Sequence, residues 1–316
     1  MGKGQDPWVI KHHDYYYFIE SRNGGIYISR NKKLTNIKKH EKKIWTPPSH
    51  GWNQANIWAP ELHFVHGKWY IYYAAAPKAG SPFIHQRSGV LQSASKNPFG
   101  KWKNKGQLYT GNDIQDRTNN IWAIDLTVAN IHHQLYAIWS GWRKNRDTDH
   151  TQQNLYIAKM KNPWTISSNR VKISSPTASW EQGPQLNLEE GPEVLKHKNK
   201  VFIIYSTQDS WLKTYKLGQL KLAGPKANPM DPSNWVKSGP VFKGTKKVYG
   251  VGHASFTTSP DGAQHWIVYH TKADSTPGWD RRIEMKKFSW NKNGAPDFGT
   301  PPAPGETLKV PSGQCK

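Results

Sequence analysis

Tyr16–Ser21 reads YYFIES, and the same cadence returns as WYIYYA (Trp69–Ala74), LYAIWS (Leu135–Ser140), VFIIYS (Val201–Ser206) and HWIVYH (His265–His270). Counted from the second residue of each segment (Tyr17, Tyr70, Tyr136, Phe202, Trp266), the steps are 53, 66, 66 and 64 residues. Each segment is an aromatic and β-branched run ending in a small or polar residue. Four follow a turn signal: HGK before Trp69, HHQ before Leu135, HKNK before Val201 and PDGAQ before His265. A helical period is absent. Units of this length hold four strands, and five in series read as a β-propeller. A two-sheet sandwich with long insertions would not keep this spacing along the whole chain. The expected architecture is all-β, a single five-bladed β-propeller over residues 1–316. Its ring closes where the segment ahead of Tyr17 meets the last blade, near PDFGTPP (Pro296–Pro302).

The composition agrees. Only 35% of residues are hydrophobic, yet there are 16 Trp and 14 Tyr, so the core must be built from aromatic strands. The same residues suit sugar binding, because their apolar faces match the C–H faces of a sugar ring. The net charge of +22 would attract polyanions. Its lysines, however, are scattered through loops such as NKKLTNIKKHEKK (Asn31–Lys43), which reads as a solvated basic surface. A single cysteine, Cys315, excludes an intrachain disulfide and a Cys-based metal cluster. No stretch is long and apolar enough for a membrane helix, and MGKGQDPW lacks the apolar region of a signal peptide.

Acids stand at matching places ahead of the repeated strands. Asp6 and Asp125 precede the second residue of their repeats by 11 positions, and Glu190 by 12. Glu61 precedes its own by 9, and His253 by 13. In a propeller the strand before each such hairpin is innermost, so these groups converge on the axial channel. Asp125 lies in the apolar run IWAIDLTV (Ile121–Val128), an unusual setting for a surface acid. Clustered carboxylates beside aromatics suit glycoside hydrolysis, in which one carboxyl group protonates the leaving oxygen and another activates water or attacks. No GxSxG elbow, phosphate-binding glycine loop or HExxH motif competes.

DPW (Asp6–Trp8), WAPELHFVHGKWYIYY (Trp58–Tyr73), WAIDLTV (Trp122–Val128), EEGPEVL (Glu189–Leu195), YGVGHASFTTSPDG (Tyr249–Gly262) and WNKNGAPDFGTP (Trp290–Pro301) occur in an order and spacing that resembles glycoside hydrolase family 43 almost end to end. The resemblance implies an inverting mechanism. In it Asp6 is the general base, Glu190, directly before Gly-Pro, is the general acid, and Asp125 raises the pKa of the acid and orients it. It further implies substrate contacts from Trp58, Trp122, His253 and Arg281. No cofactor is required; a structural calcium in the axial channel, which His253 would face through water, is the one metal it allows. RRIEMKKFSW (Arg281–Trp290) departs from the family pattern, with Glu284 where a second arginine is usual.

LYAIWSGW (Leu135–Trp142) and QNLYIAKMKNPWTI (Gln153–Ile166) resemble the exo-acting α-L-arabinofuranosidases of that family. The expected substrates are therefore arabinan or arabinoxylan in the plant cell wall, with acidic pectin as a partner for the basic surface and a secreted location. Endo-arabinanase and β-xylosidase activities are the alternatives within the family, and a non-catalytic carbohydrate-binding propeller is the alternative from another class. No specific nucleic-acid or membrane partner is expected.

Overall fold

A computed structural model describes residues 1–22 and 24–314; Asn23, Cys315 and Lys316 lie outside the described residues. Every extended segment falls into one of five sheets. A short strand, β1 (Gly2–Lys3), opens the chain. Blade 1 is β2 (Trp8–His12), β3 (Tyr15–Arg22), β4 (Gly25–Asn31) and β5 (Lys42–Trp45). Blade 2 is β6 (Ala55–Val65), β7 (Lys68–Ala76), β8 (Arg87–Ser93) and β9 (Trp102–Gln107). Blade 3 is β10 (Ala123–Ile131), β11 (Gln134–Gly141) and β12 (Asn154–Asn162), on which both β13 (Thr165–Ile166) and β14 (Val171–Ser174) pair. Blade 4 is β15 (Glu189–His197), β16 (Lys200–Thr207), β17 (Lys216–Leu222) and β18 (Trp235–Lys243). Blade 5 is β19 (Tyr249–Thr258), β20 (His265–Lys272) and β21 (Arg281–Trp290), with β22 (Pro296–Asp297) on one end of β21. The five quoted segments are the second strands of the five blades.

Closure uses the chain's own start. Strand β1 pairs antiparallel with β21, Gly2 opposite Ile283 and Lys3 opposite Arg282, so the first residues complete the last blade. The first strands of the blades touch in a ring, β2 to β6, β10, β15, β19 and back to β2. They line the axis, as expected.

The second strands are apolar at nearly every position because both of their faces are buried between blades. From β3, Tyr17 and Ile19 pack with Trp69, Ile71 and Tyr73 of blade 2, while Tyr16 and Phe18 pack with Trp266 and Val268 of blade 5. Comparable clusters join blades 2 and 3, 3 and 4, and 4 and 5. Aromatic bulk suits this role, since blades splay apart from the axis and the wedge between them must be filled.

The inner strands share one irregularity. Register breaks between Trp58 and Glu61, Ile124 and Thr127, Glu190 and Glu193, and Gly252 and Ser255. At each break two residues face one on the partner strand, and the first of the two is left-handed: Ala59 (φ 41°), Asp125 (φ 52°), Gly191 (φ 54°) and His253 (φ 48°). Asp6 (φ 49°) holds the same place just ahead of β2. Outside glycine this conformation costs roughly 1–2 kcal/mol per residue. Bulges of this kind re-aim side chains and recur beside active sites.

Candidate active site

The bulges bring Asp6, Asp125 and Glu190 to one end of the axial channel. Backbone N–H groups at three of the breaks are taken up by side chains of the preceding blade around the ring. The Gly191 N–H donates to Asp125 Oδ2 at 3.0 Å, the His253 N–H to Ser206 Oγ at 2.8 Å, and the Asp6 N–H to His270 Nδ1 at 3.2 Å. These bonds lock the hub across blade boundaries.

Asp6 sits in a cationic and imidazole cradle. Its Oδ1 lies 3.3 Å from His253 Nδ1, 3.4 Å from His270 Nδ1 and 3.4 Å from Arg281 Nη1. Burial acts to raise its pKa, but His253, His270 and Arg281 together outweigh burial and hold the carboxyl well below the usual range. His270 is driven the other way, to about 3, mainly by burial and then by Arg281, so its ring is neutral. Arg281 is buried, and its Nη2 also donates to the Ser210 carbonyl at 2.6 Å.

Glu190 is buried and pushed up to about 7, chiefly by desolvation. Against that pull, Tyr215 donates its hydroxyl to Oε1 at 2.7 Å, and Arg281 and Ser210 also favour the ionised form, while the Asp6 charge opposes it. Asp125, also buried, is raised well above the usual range by desolvation and by the charges of Glu190 and Asp6, partly offset by the Gly191 N–H. Two buried acids this close resist carrying two negative charges, so a proton stays on the Asp125–Glu190 pair where Asp6 is already ionised.

The neighbouring glutamates separate cleanly. Glu189 is turned to the other side of its strand, where its Oε1 takes Lys237 Nζ at 2.6 Å and the Ser174 hydroxyl at 2.5 Å. Glu193 is buried against Glu61, with which it shares a hydrogen bond that raises its pKa on top of the effect of burial. Glu61 Oε2 in turn meets His63 Nε2 at 2.7 Å. This Glu193–Glu61–His63 chain joins the inner strands of blades 2 and 4 across the axis.

Trp58 is half-buried and packs against Phe83, with ring centroids 4.9 Å apart. It holds the place in blade 2 that Glu190 holds in blade 4. Trp122, expected to touch sugar, is only 2% exposed. Its ring is stacked 4.4 Å from Trp142 and its indole N–H is given to the Phe83 carbonyl, so it stiffens the wall behind Trp58. His253 and Arg281 reach the site through Asp6. Among the described residues, no group of three or more His, Cys, Asp or Glu side chains is arranged to hold a metal ion.

Ser210, Tyr215 and His270 complete the site without having been singled out by motif. His270 left a trace: it ends its repeat segment where the other four end in Ser or Ala.

The family model for glycosyl hydrolases family 43 matches residues 1–296. The chain belongs to that family. It is 38% identical over 320 residues to an extracellular exo-α-(1→5)-L-arabinofuranosidase of Streptomyces avermitilis, covering 96% of this chain and 63% of the relative. It is 33% identical to α-L-arabinofuranosidase 43 of Humicola insolens, with the same coverage. The chain thus spans 63% of the length of these two curated relatives. The crystal structure of an α-L-arabinofuranosidase from Lactobacillus brevis superposes with a TM-score of 0.85 at 31% identity, covering 96% of each chain.

Proposed function

We propose that this protein is an inverting, exo-acting α-L-arabinofuranosidase that releases terminal arabinofuranosyl residues from arabinan or arabinoxylan oligosaccharides. The observation that carries the reading is the opposed tuning of two acids in one hub, the half-buried Asp6 held ionised by His253, His270 and Arg281 and the buried Glu190 pushed toward its protonated form by burial. Such a split assigns base and acid. Glu190 gives its proton to the glycosidic oxygen, and that oxygen keeps the bonding pair as the C1–O bond breaks. A water on the opposite face of the ring attacks C1 and loses its proton to Asp6. Asp125, by accepting the Gly191 N–H, fixes the strand that carries Glu190. Trp58 offers the sugar an apolar face. No metal step is needed.

The names of the relatives support the substrate class, and the extracellular ones support secretion. The positive charge supports a further association with acidic pectin. A cleft of about 530 Å³ at the far ends of the strands, edged by Lys198, Lys200, Lys221 and Lys292, contains no acid in its lining. Retention on a polygalacturonate column should fall as salt rises; retention indifferent to salt would remove the electrostatic partner.

The decisive experiment is a proton NMR time course on linear α-1,5-arabino-oligosaccharides. Arabinose alone, appearing first as the β-anomer, is expected. A ladder of oligomers would make the enzyme endo-acting, and no hydrolysis would leave a binding propeller.

A further inference from the structure

Of the 16 tryptophans, 15 are buried or half-buried; Trp279 is exposed, with 58% of its surface open to solvent. An isolated exposed apolar residue needs no explanation, but this one is held in place. Its ring packs against Trp211, with centroids 5.8 Å apart, and carries the Arg281 guanidinium 4.6 Å from its centre. The loop that bears it is tied at three points. The Gly278 N–H donates to the Trp211 carbonyl at 2.9 Å, Lys272 Nζ to the Gly278 carbonyl at 2.6 Å, and the Ala273 N–H to the Asp280 carbonyl at 2.9 Å.

Its position is informative. The guanidinium that lies over Trp279 is the one facing Asp6, so a single side chain touches both the indole and the proposed base. Trp211 directly follows Ser210, whose hydroxyl bonds to Glu190. The aromatic pair therefore adjoins groups that contact both reacting acids, Ser210 at Glu190 and Arg281 at Asp6. Beside Trp279 opens a cleft of about 370 Å³ that includes Gln5, Glu20, Arg22 and Asp280 in its lining. An aromatic face with polar groups around it is the chemistry that holds a neutral sugar ring.

We infer that Trp279, buttressed by Trp211 and Arg281, is the platform for the sugar residues beyond the cleaved bond, a subsite that reads chain length. The inference rests on the function proposed above. It is tested by comparing kcat/KM for arabinotriose with kcat/KM for methyl α-L-arabinofuranoside, which puts no sugar ring on the leaving side. In Trp279→Ala the ratio should fall about five- to tenfold, the loss lying in KM, as expected for a lost stacking contact. Trp279→Phe should retain most of it, and an unchanged Tm would show that the loss is local. An unmoved ratio, or an equal loss on both substrates, overturns the subsite. If the wild-type protein releases arabinose from neither substrate, it is the proposed function that fails.

Discussion

Replacing Tyr215 with Phe removes one oxygen from the site and should move its pH dependence in a defined direction. The Tyr215 hydroxyl donates to Glu190 Oε1 at 2.7 Å, a bond that stabilises the ionised carboxylate and holds its pKa down to about 7 against burial. A general acid must be protonated to act, so the ionisation of Glu190 sets the alkaline limb of kcat/KM. Without the bond the pKa rises. A hydrogen bond to a charged group is worth about 1.5–3 kcal/mol, and one pKa unit corresponds to 1.36 kcal/mol, so the shift is about one to two units. Arg281 and Ser210 remain to support the ionised form, which favours the smaller value. The phenyl ring preserves the stack on His270 at 5.6 Å. The assay is kcat/KM against pH with arabinobiose, whose sugar leaving group needs the proton. The alkaline limb should move from about pH 7 to about pH 8 by this arithmetic, while the acid limb, set by Asp6, stays below pH 4. An alkaline limb that stays put or moves down would refute Glu190 as the acid.

Four further substitutions have expected outcomes. Glu190→Gln should slow arabinobiose hydrolysis by about 10²- to 10⁴-fold but spare an aryl arabinofuranoside, whose phenolate leaves without help. Asp6→Asn should slow both substrates, and equal sensitivity of the two variants to leaving group would reverse or void the roles. Lys237→Met should destabilise the fold by about 3 kcal/mol, because Lys237 Nζ lies 2.8 Å from Glu181 and 2.6 Å from Glu189, both fully buried. Glu189 already stands at about 7, and removing the cation raises it further. The variant should therefore lose stability as pH rises through that range, visible as a larger Tm deficit at pH 8 than at pH 6. Gly191→Ala places a Cβ 3.1 Å from His253 Nδ1 on a residue at φ +54°, so Tm should drop by the roughly 1–2 kcal/mol of left-handed strain and activity should fall with the displaced imidazole. Wild-type activity in this variant would show that the seat of His253 beside Asp6 is dispensable.

The blades were legible because a second strand buried on both faces has almost no freedom of composition. Each of the five segments is apolar at alternate positions toward one neighbour and at the remaining positions toward the other. Asp6, Asp125 and Glu190 were legible because the bulge lies at a nearly constant distance from that strand. What stayed hidden depends on tertiary contact alone. Trp58 and Trp122 sit in similar motifs, yet one is half-buried and the other is stacked on Trp142. Ser210, Tyr215 and Trp279 come from segments outside the repeat, where spacing carries no information about what they face. Glu193, read as a neighbour of the acid, became part of the axial chain only when Glu61 arrived from another blade.

The register breaks explain how apolar strands deliver acids at all. In an unbroken inner strand, successive side chains alternate toward the two flanking blades, and both interfaces are hydrophobic. An ionisable group there would be desolvated without a partner, at a cost that no single fold contact offsets. The left-handed residue interrupts the alternation and turns one side chain toward the hub, where other ionisable groups await it. Three of the five places carry Asp6, Asp125 and His253, and Glu190 stands one position before the fourth, Gly191. Ala59 keeps the strained conformation without an ionisable side chain, which indicates that the bulge belongs to the blade and the chemistry was placed upon it. Backbone strain of a few kcal/mol is thus concentrated where the reacting groups meet, and the wide aromatic interfaces between blades are what sustain it.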